Sequence, residues 1–376
     1  MSGINLYKKQ IAIGIIIFVS ILVSFEIIGK IILEDRDTCY TSLLANEVYG
    51  GLGPSDLKQL CDDYGKILYH EYPTRHLPPN QHTDTVNINN EGFRGPDIIK
   101  EKNDDEIRIF ILGGSLTYGV FSTSDETTYS GYLQKKFDEY GKQYNIQVIN
   151  GGVNAYDSSD IVNQIKSKLL EYKPDLFIII TGNAIDRTSE QDNEDVPFYY
   201  SISNQFAGLK LYYKSPEFFE FIKRVALKNT YGDQGIPGEK VNHELLEDKI
   251  KLWKERWRDV CDFSNEKNID VVIAIPPILG AGNKQLSEWE LQNLEKLEHS
   301  NIASSYHLVK NGLMDLDEQC QNTLDLTNTF DDYKNTIYLD NQHVGDMGNM
   351  LVAEELFRFS LPIIDEKISR NNNLDV

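Results

Sequence analysis

Two short segments carry side chains that could act together. Near the front the chain reads Leu112-Gly113-Gly114-Ser115-Leu116-Thr117-Tyr118-Gly119, and near the end Asp340-Asn341-Gln342-His343. A serine hydroxyl is a poor nucleophile until a base takes its proton. A histidine serves as that base when a carboxylate fixes its orientation and tautomer. Ser115, His343 and Asp340 supply these groups, and the spacing of Asp340 and His343 lets the carboxylate reach the imidazole within one loop or first helical turn. The chemistry such a set supports is attack on an acyl carbonyl.

The nucleophile must also be presented. The run Ile107 to Leu112 is mostly apolar and rich in isoleucine, so it predicts a buried strand that gives way to a glycine-rich turn and then a helix. That places Ser115 at the carboxyl edge of a sheet, where backbone N–H groups can gather around a developing oxyanion. The chain order Ser, Asp, His is that of the α/β-hydrolases. Their Gly-x-Ser-x-Gly elbow, however, would need glycine where Thr117 stands, and their acid and histidine lie far apart in sequence.

The two segments resemble blocks of the SGNH (GDSL-like) hydrolases, in which a Gly-x-Ser sequence follows the first strand and an Asp-x-x-His sequence precedes a helix. The continuation Val344-Gly345-Asp346-Met347-Gly348-Asn349-Met350-Leu351-Val352-Ala353-Glu354 is similar to the run that follows the histidine in that family. The lead-in Val86-Asn87-Ile88-Asn89-Asn90-Glu91-Gly92-Phe93-Arg94-Gly95-Pro96 resembles that of one large branch of it. The resemblance covers about residues 80 to 360. It implies a serine esterase with Ser115, His343 and Asp340 as catalytic residues, acting on carboxylic (acyl or acetyl) esters of small molecules or glycans with no metal or cofactor. Two alternatives stay open: an O-acyltransferase of envelope glycans using the same triad, and a catalytically inactive surface protein that keeps the fold.

The family's second block corresponds to Val148-Ile149-Asn150-Gly151-Gly152-Val153-Asn154-Ala155-Tyr156. Ala155 stands where the resemblance expects a glycine whose N–H binds the oxyanion, and a backbone N–H can come from alanine if the backbone angles allow. The third block, Gly-x-Asn-Asp in the family, reads Gly182-Asn183-Ala184-Ile185-Asp186 here. The amide position falls on Ala184, and Asn183 is the residue that can replace it through a shifted turn. The oxyanion set implied is therefore Ser115, Ala155 and Asn183. Loss of one donor costs roughly a hundredfold to a thousandfold in rate, and this block is what keeps the inactive alternative in play.

The elements that must position these residues alternate along the chain. Glu106 to Gly113, Ile146 to Ile149, Asp175 to Thr181 and Ile269 to Ile275 read as buried parallel strands, with a shorter fifth near Thr323 to Leu326. Thr127 to Tyr140, Ser159 to Tyr172 and Asn242 to Asn265 show helical spacing. The expected fold is α/β: a doubly wound, flavodoxin-like, mostly parallel five-stranded sheet with helices on both faces, plus an N-terminal transmembrane helix. The site belongs at the carboxyl ends of the strands.

The N-terminal helix is read from an apolar run, Ile11 to Phe25, extended through Leu33, with Lys8 and Lys9 before it and Glu34, Asp35 and Asp37 after it. The length suits a hydrocarbon core of about 30 Å, and the flanking charges put the remainder of the chain outside. A cleaved signal peptide competes with this reading, but no small-x-small site follows Phe25 at the usual distance. The domain organisation is then a short cytoplasmic N-terminus (1–9), a transmembrane helix or signal anchor (10–33), and an extracytoplasmic extension (34–104). An SGNH hydrolase-like domain (105–365) follows with an aromatic-rich insertion at about 187–240, and a polar tail (366–376) ends the chain. The insertion reads as a helical packing surface or as a substrate platform.

A formal net charge of -21 argues against nucleic acid as a partner, since a phosphate backbone would be repelled. Cys39, Cys61, Cys261 and Cys320 all fall on the external side. Sequence proximity favours pairing Cys39 with Cys61 and Cys261 with Cys320, with the other pairings open. His70 and His76 could approach the site through the extension; the remaining histidines read as surface or structural.

Overall fold

The computed structural model describes residues 13, 14, 17, 20, 24, 47–49, 51–70, 75–141, 145–182, 243–297, 302–316 and 320–374. The insertion at 187–240 and most of the segment 10–33 lie outside them. The chain divides into two compact units. One joins 1–41 to 189–236, and its described residues, Ile13, Gly14, Ile17, Ser20 and Ser24, are helical and exposed. Among the described residues no helix is long and apolar enough to cross a membrane.

The other unit carries, in chain order, α1 (Pro54–Lys66), the short antiparallel pair β1 (Gln81–His82) and β2 (Asn87–Ile88), β3 (Glu106–Gly113), α2 (Ser115–Tyr118), α3 (Tyr129–Tyr140), β4 (Asn145–Asn150), α4 (Ser158–Ser167), β5 (Leu176–Ile180), α5 (His243–Asn265), β6 (Asp270–Ile275), α6 (Glu288–Leu297), α7 (Ile302–Met314), β7 (Thr323–Asp325) and α8 (Asp346–Leu374). The main sheet runs β4-β3-β5-β6-β7 with every neighbouring pair parallel. After β3 the chain steps outward to β4 and then back past β3 to β5. The crevice at the carboxyl ends of β3 and β5 is thus the switch point of a doubly wound sheet, where ligands bind.

The strands form where the sequence reads mostly apolar because both faces of the sheet are covered. Ile107, Ile109 and Ile111 of β3 join Ile178, Ile180, Val272 and Ala274 under α3 and α8. Phe110 and Leu112 join Phe177, Ile179, Ile273 and Ile275 under α4, α5 and α7. The split by odd and even position is the strand period of two, and each such buried side chain contributes about 1.5–3 kcal/mol. Among the described residues β4 is the edge of this sheet, with an isolated antiparallel bridge from Asn150 to Arg94. There Gln134 of α3 accepts from Val148 N at 2.7 Å and donates through Nε2 to Ile146 O at 2.8 Å.

Three details differ from the sequence reading. The helix expected over Ser159 to Tyr172 is broken at Lys168 (φ -128, ψ -47), and a tighter turn, Leu169–Tyr172, follows. The break directs both Leu169 and Tyr172 into the core and the Tyr172 hydroxyl onto Glu91 at 2.7 Å. The segment set apart as an extension is built into the same core, with Ile67, Leu77, Val86, Ile88, Phe93 and Ile98 in the cluster beneath α4 and α5. Helix α8 continues to Leu374, through most of the segment read as a tail. Cys261 and Cys320 form a disulfide. Cys61 is disulfide-bonded as well, and Cys39 lies outside the described residues.

Candidate active site

The nucleophile block turns sharply because its glycines leave no room for side chains. A Cβ on Gly113 would lie 2.2 Å from Thr117 Oγ1 and 2.7 Å from Ile180 O, and one on Gly152 would lie 2.3 Å from Tyr118 N. With these glycines in place, β3 passes directly into α2 and Ser115 becomes its first residue. The helix stops at Gly119 in the left-handed region (φ 86), and the N–H groups of Gly119 and Val120 both donate to Ser115 O at 3.0 Å. A buried arginine clamps the same turn. Arg94 Nη1 donates to Tyr118 O at 3.1 Å and to Gly119 O at 2.7 Å, while its Nε donates to Asp125 at 2.8 Å.

The final block brings the other two groups to the same place. Asp340 Oδ1 accepts from the backbone N–H of Gln342 at 2.9 Å and of His343 at 2.7 Å, which folds the loop back on itself. Its other oxygen lies 2.7 Å from His343 Nδ1, and His343 Nε2 lies 2.8 Å from Ser115 Oγ. Ser115, His343 and Asp340 therefore form one continuous hydrogen-bonded chain. Burial alone would raise the Asp340 carboxyl, but the imidazole and the two backbone N–H groups outweigh it and hold the group below the usual carboxylate range. The loop is braced from behind by Glu290 of α6. Its Oε1 accepts from Ile337 N at 2.9 Å and Tyr338 N at 3.3 Å, and its Oε2 pairs with buried Lys284 at 2.6 Å.

The second block lies against this turn, since Val153 N donates to Gly113 O at 3.1 Å and a Cβ on Gly114 would approach Tyr156 O to 3.1 Å. Val153 to Tyr156 form a tight turn closed by Tyr156 N to Val153 O at 3.1 Å, with Ala155 in the left-handed region (φ 67) at its third position. That position of a type II turn favours glycine. Ala155 thus adopts the glycine-like conformation, and among the described residues neither its N–H nor that of Ser115 has a hydrogen-bond partner. Of the third block Gly182 (φ 95) is described, and Asn183 to Asp186 lie outside the described residues.

His70 and His76 pair with each other across an antiparallel bridge, with ring centroids 5.2 Å apart. Among the described residues no group of three or more His, Cys, Asp or Glu is arranged to hold a metal ion. Sequence reasoning did not single out Arg94 individually, although it lies in the lead-in quoted above, and it missed Glu290 and Phe121. The Phe121 ring stands edge-on to the His343 ring at 5.9 Å, and nothing in its local sequence marks it.

No family model matches the chain, and among curated proteins no sequence matches it. Solved structures do show similarity. The acetyl xylan esterase AlAXEase is 16% identical, with 67% of this chain and 98% of that one covered at a TM-score of 0.38. A catalytic mutant of Axe2, an acetylxylan esterase from Geobacillus stearothermophilus, is 12% identical, with 67% and 93% covered and a TM-score of 0.37. TesA is 10% identical, with 68% and 98% covered and a TM-score of 0.39. The chemistry of the site rests on its own geometry.

Proposed function

We propose that this chain is an SGNH-type serine esterase that hydrolyses carboxylic (acyl or acetyl) esters. The observation that carries the reading is the continuous chain from Ser115 Oγ through His343 to Asp340, with contacts of 2.8 and 2.7 Å, set at the switch point of the sheet. In this mechanism Nε2 of His343 takes the Ser115 proton as Oγ attacks the ester carbonyl. Asp340 holds the imidazole with its proton on Nδ1 and stabilises the cation that forms. The N–H groups of Ser115 and Ala155 face the carbonyl oxygen as it becomes an oxyanion, with Asn183 as the further donor. His343 then returns the proton to the departing alcohol. Water, activated by the same imidazole, attacks the acyl-enzyme, and the acid leaves with Ser115 regenerated.

The same proposal places the domain outside the membrane. The apolar run from Ile11, with lysines before it and acidic residues after it, supports that orientation. The disulfides at Cys61 and between Cys261 and Cys320 support an oxidising compartment.

The test is a fluorophosphonate probe on the full chain in detergent, with the adduct located by mass spectrometry. Labelling at Ser115 that His343→Ala abolishes is the expected result. A folded protein that takes up no probe would sink the esterase reading and leave the inactive alternative standing.

A further inference from the structure

We propose that Phe121 is a positioning residue for His343, held in place by Tyr49 of the short turn Glu47–Tyr49. The proposal rests on the reading of Ser115, His343 and Asp340 as an esterase triad.

Phe121 has φ 68. A bulky side chain adopts that left-handed conformation at a cost, so the surroundings must impose it. They do so from two sides. The Tyr49 hydroxyl donates to Phe121 O, and the Tyr64 ring packs edge-on against the Phe121 ring at 6.1 Å. The same ring also meets the imidazole of His343, at 5.9 Å and an interplanar angle of 77°.

This contact supplies a constraint that the triad lacks. Hydrogen bonds at Nδ1 and Nε2 and the bond to Cβ set the ring plane, but each hydrogen bond tolerates a range of angles and leaves the imidazole a residual rocking motion. Rocking swings the Nδ1–H bond and the Nε2 lone pair off their partners, because both lie in the ring plane and are not collinear. An aromatic ring packed against the imidazole removes that freedom.

The surrounding contacts bind the Phe121 segment and the His343 loop into one piece. Thr123 N donates to Asp346 Oδ1 at 3.0 Å, and Asn349 Nδ2 donates to Ser122 Oγ at 2.9 Å. Tyr49 is itself buried and sits at the junction. A Cβ on Gly345 would lie 2.3 Å from Val48 Cγ1 and 3.5 Å from the Tyr49 ring, so the turn closes over the chain just past His343 only because residue 345 is glycine.

The test uses the full chain and its Phe121→Gly, Phe121→Tyr and Tyr49→Phe variants. Glycine accepts φ 68 without strain and so removes the ring while keeping the backbone. For each we would measure the saturable fluorophosphonate reaction, split into a reversible binding constant and a maximal labelling rate, together with the downfield proton resonance of the His343–Asp340 hydrogen bond and the urea midpoint. Phe121→Gly should slow the maximal rate by roughly tenfold to a hundredfold with the binding constant nearly unchanged, and broaden the downfield resonance. Phe121→Tyr should restore both, and Tyr49→Phe should fall between.

If the wild type labels and Phe121→Gly labels equally fast with an intact resonance, Phe121 merely fills space and the proposal is overturned while the triad reading survives. If the folded wild type does not label, both fall. Should Phe121→Gly fail to fold, Tyr49→Phe decides, since an unchanged rate after loss of that single hydroxyl would equally overturn the proposal.

Discussion

Replacement of Asp340 by asparagine separates the two jobs that this side chain performs. Oδ1 closes the loop by accepting two backbone N–H bonds, at 2.9 and 2.7 Å, and an asparagine carbonyl can accept both. Oδ2 receives the Nδ1 proton of His343 at 2.7 Å, and an asparagine NH2 in that place is a donor. The imidazole must then accept at Nδ1 and carry its proton on Nε2, which points that proton at Ser115 Oγ. A base that presents a proton to its substrate hydroxyl cannot act, and the loss expected for the wrong tautomer is about ten-thousandfold in kcat. At about 1.4 kcal/mol per factor of ten, that is roughly 5–6 kcal/mol of barrier.

The loop survives the change, so urea unfolding near neutral pH should shift by no more than about 1 kcal/mol. Asp340→Ala loses the loop bonds as well and should be less stable than Asp340→Asn. The assay is hydrolysis of p-nitrophenyl acetate beside fluorophosphonate labelling. Asp340→Asn turning over within tenfold of wild type would refute the argument, because His343 would then be oriented by something else. The pH dependence has a fixed sign. The carboxyl is held below its ordinary value in the folded chain. Its contribution to stability is therefore complete above about pH 4 and is lost as the pH falls through the lowered folded value.

Other outcomes follow from the same contacts. Ala155→Gly removes the cost of about 1–2 kcal/mol of holding alanine at φ 67 and returns about 0.4–1 kcal/mol of freedom to the unfolded chain. Urea unfolding should show a protein that is equally stable or up to about 1.5 kcal/mol more stable, with esterase kcat unchanged; a large loss of kcat would show that the methyl group itself matters. Glu290→Gln leaves Lys284 buried without its counter-charge, so a loss of about 3–5 kcal/mol is expected. A variant of wild-type stability would contradict the bracing role of Glu290. Opening the Cys261–Cys320 loop, which spans 59 residues, with a double alanine variant should cost about 4 kcal/mol, read as a fall in the urea midpoint; reductant should lower the wild type by at least as much, since it also opens the bond at Cys61.

The sheet and the triad were legible because their signals are local. Ile107 to Leu112, apolar apart from Arg108, and Leu176 to Ile180 are runs of the kind that a doubly covered strand requires, and Asp340 and His343 meet within one loop. Ala155 could be assigned to its turn because the block around it has a fixed length. What stayed hidden depends on contacts between distant segments. Arg94 meets the Ser115 turn from the lead-in, Glu290 braces residues 337 and 338 from α6, and Tyr49 reaches Phe121 across 72 positions. None of these repeats with a period, and each side chain taken singly reads as an ordinary polar or aromatic residue. The break at Lys168 was hidden for a related reason, since the helical pattern continues through a turn that tertiary contacts tighten.

The amide of Gln134 has a consequence for life at high local concentration. A parallel sheet must end somewhere, and its last strand offers free N–H and C=O groups to any extended peptide that drifts alongside. On β4 two of those groups, at Val148 and Ile146, are already occupied by one side chain that donates and accepts much as a neighbouring strand would. An incoming chain must displace that amide before it can begin to zip onto the edge. Chains brought together at high concentration therefore meet a sheet that already ends in a plug of its own.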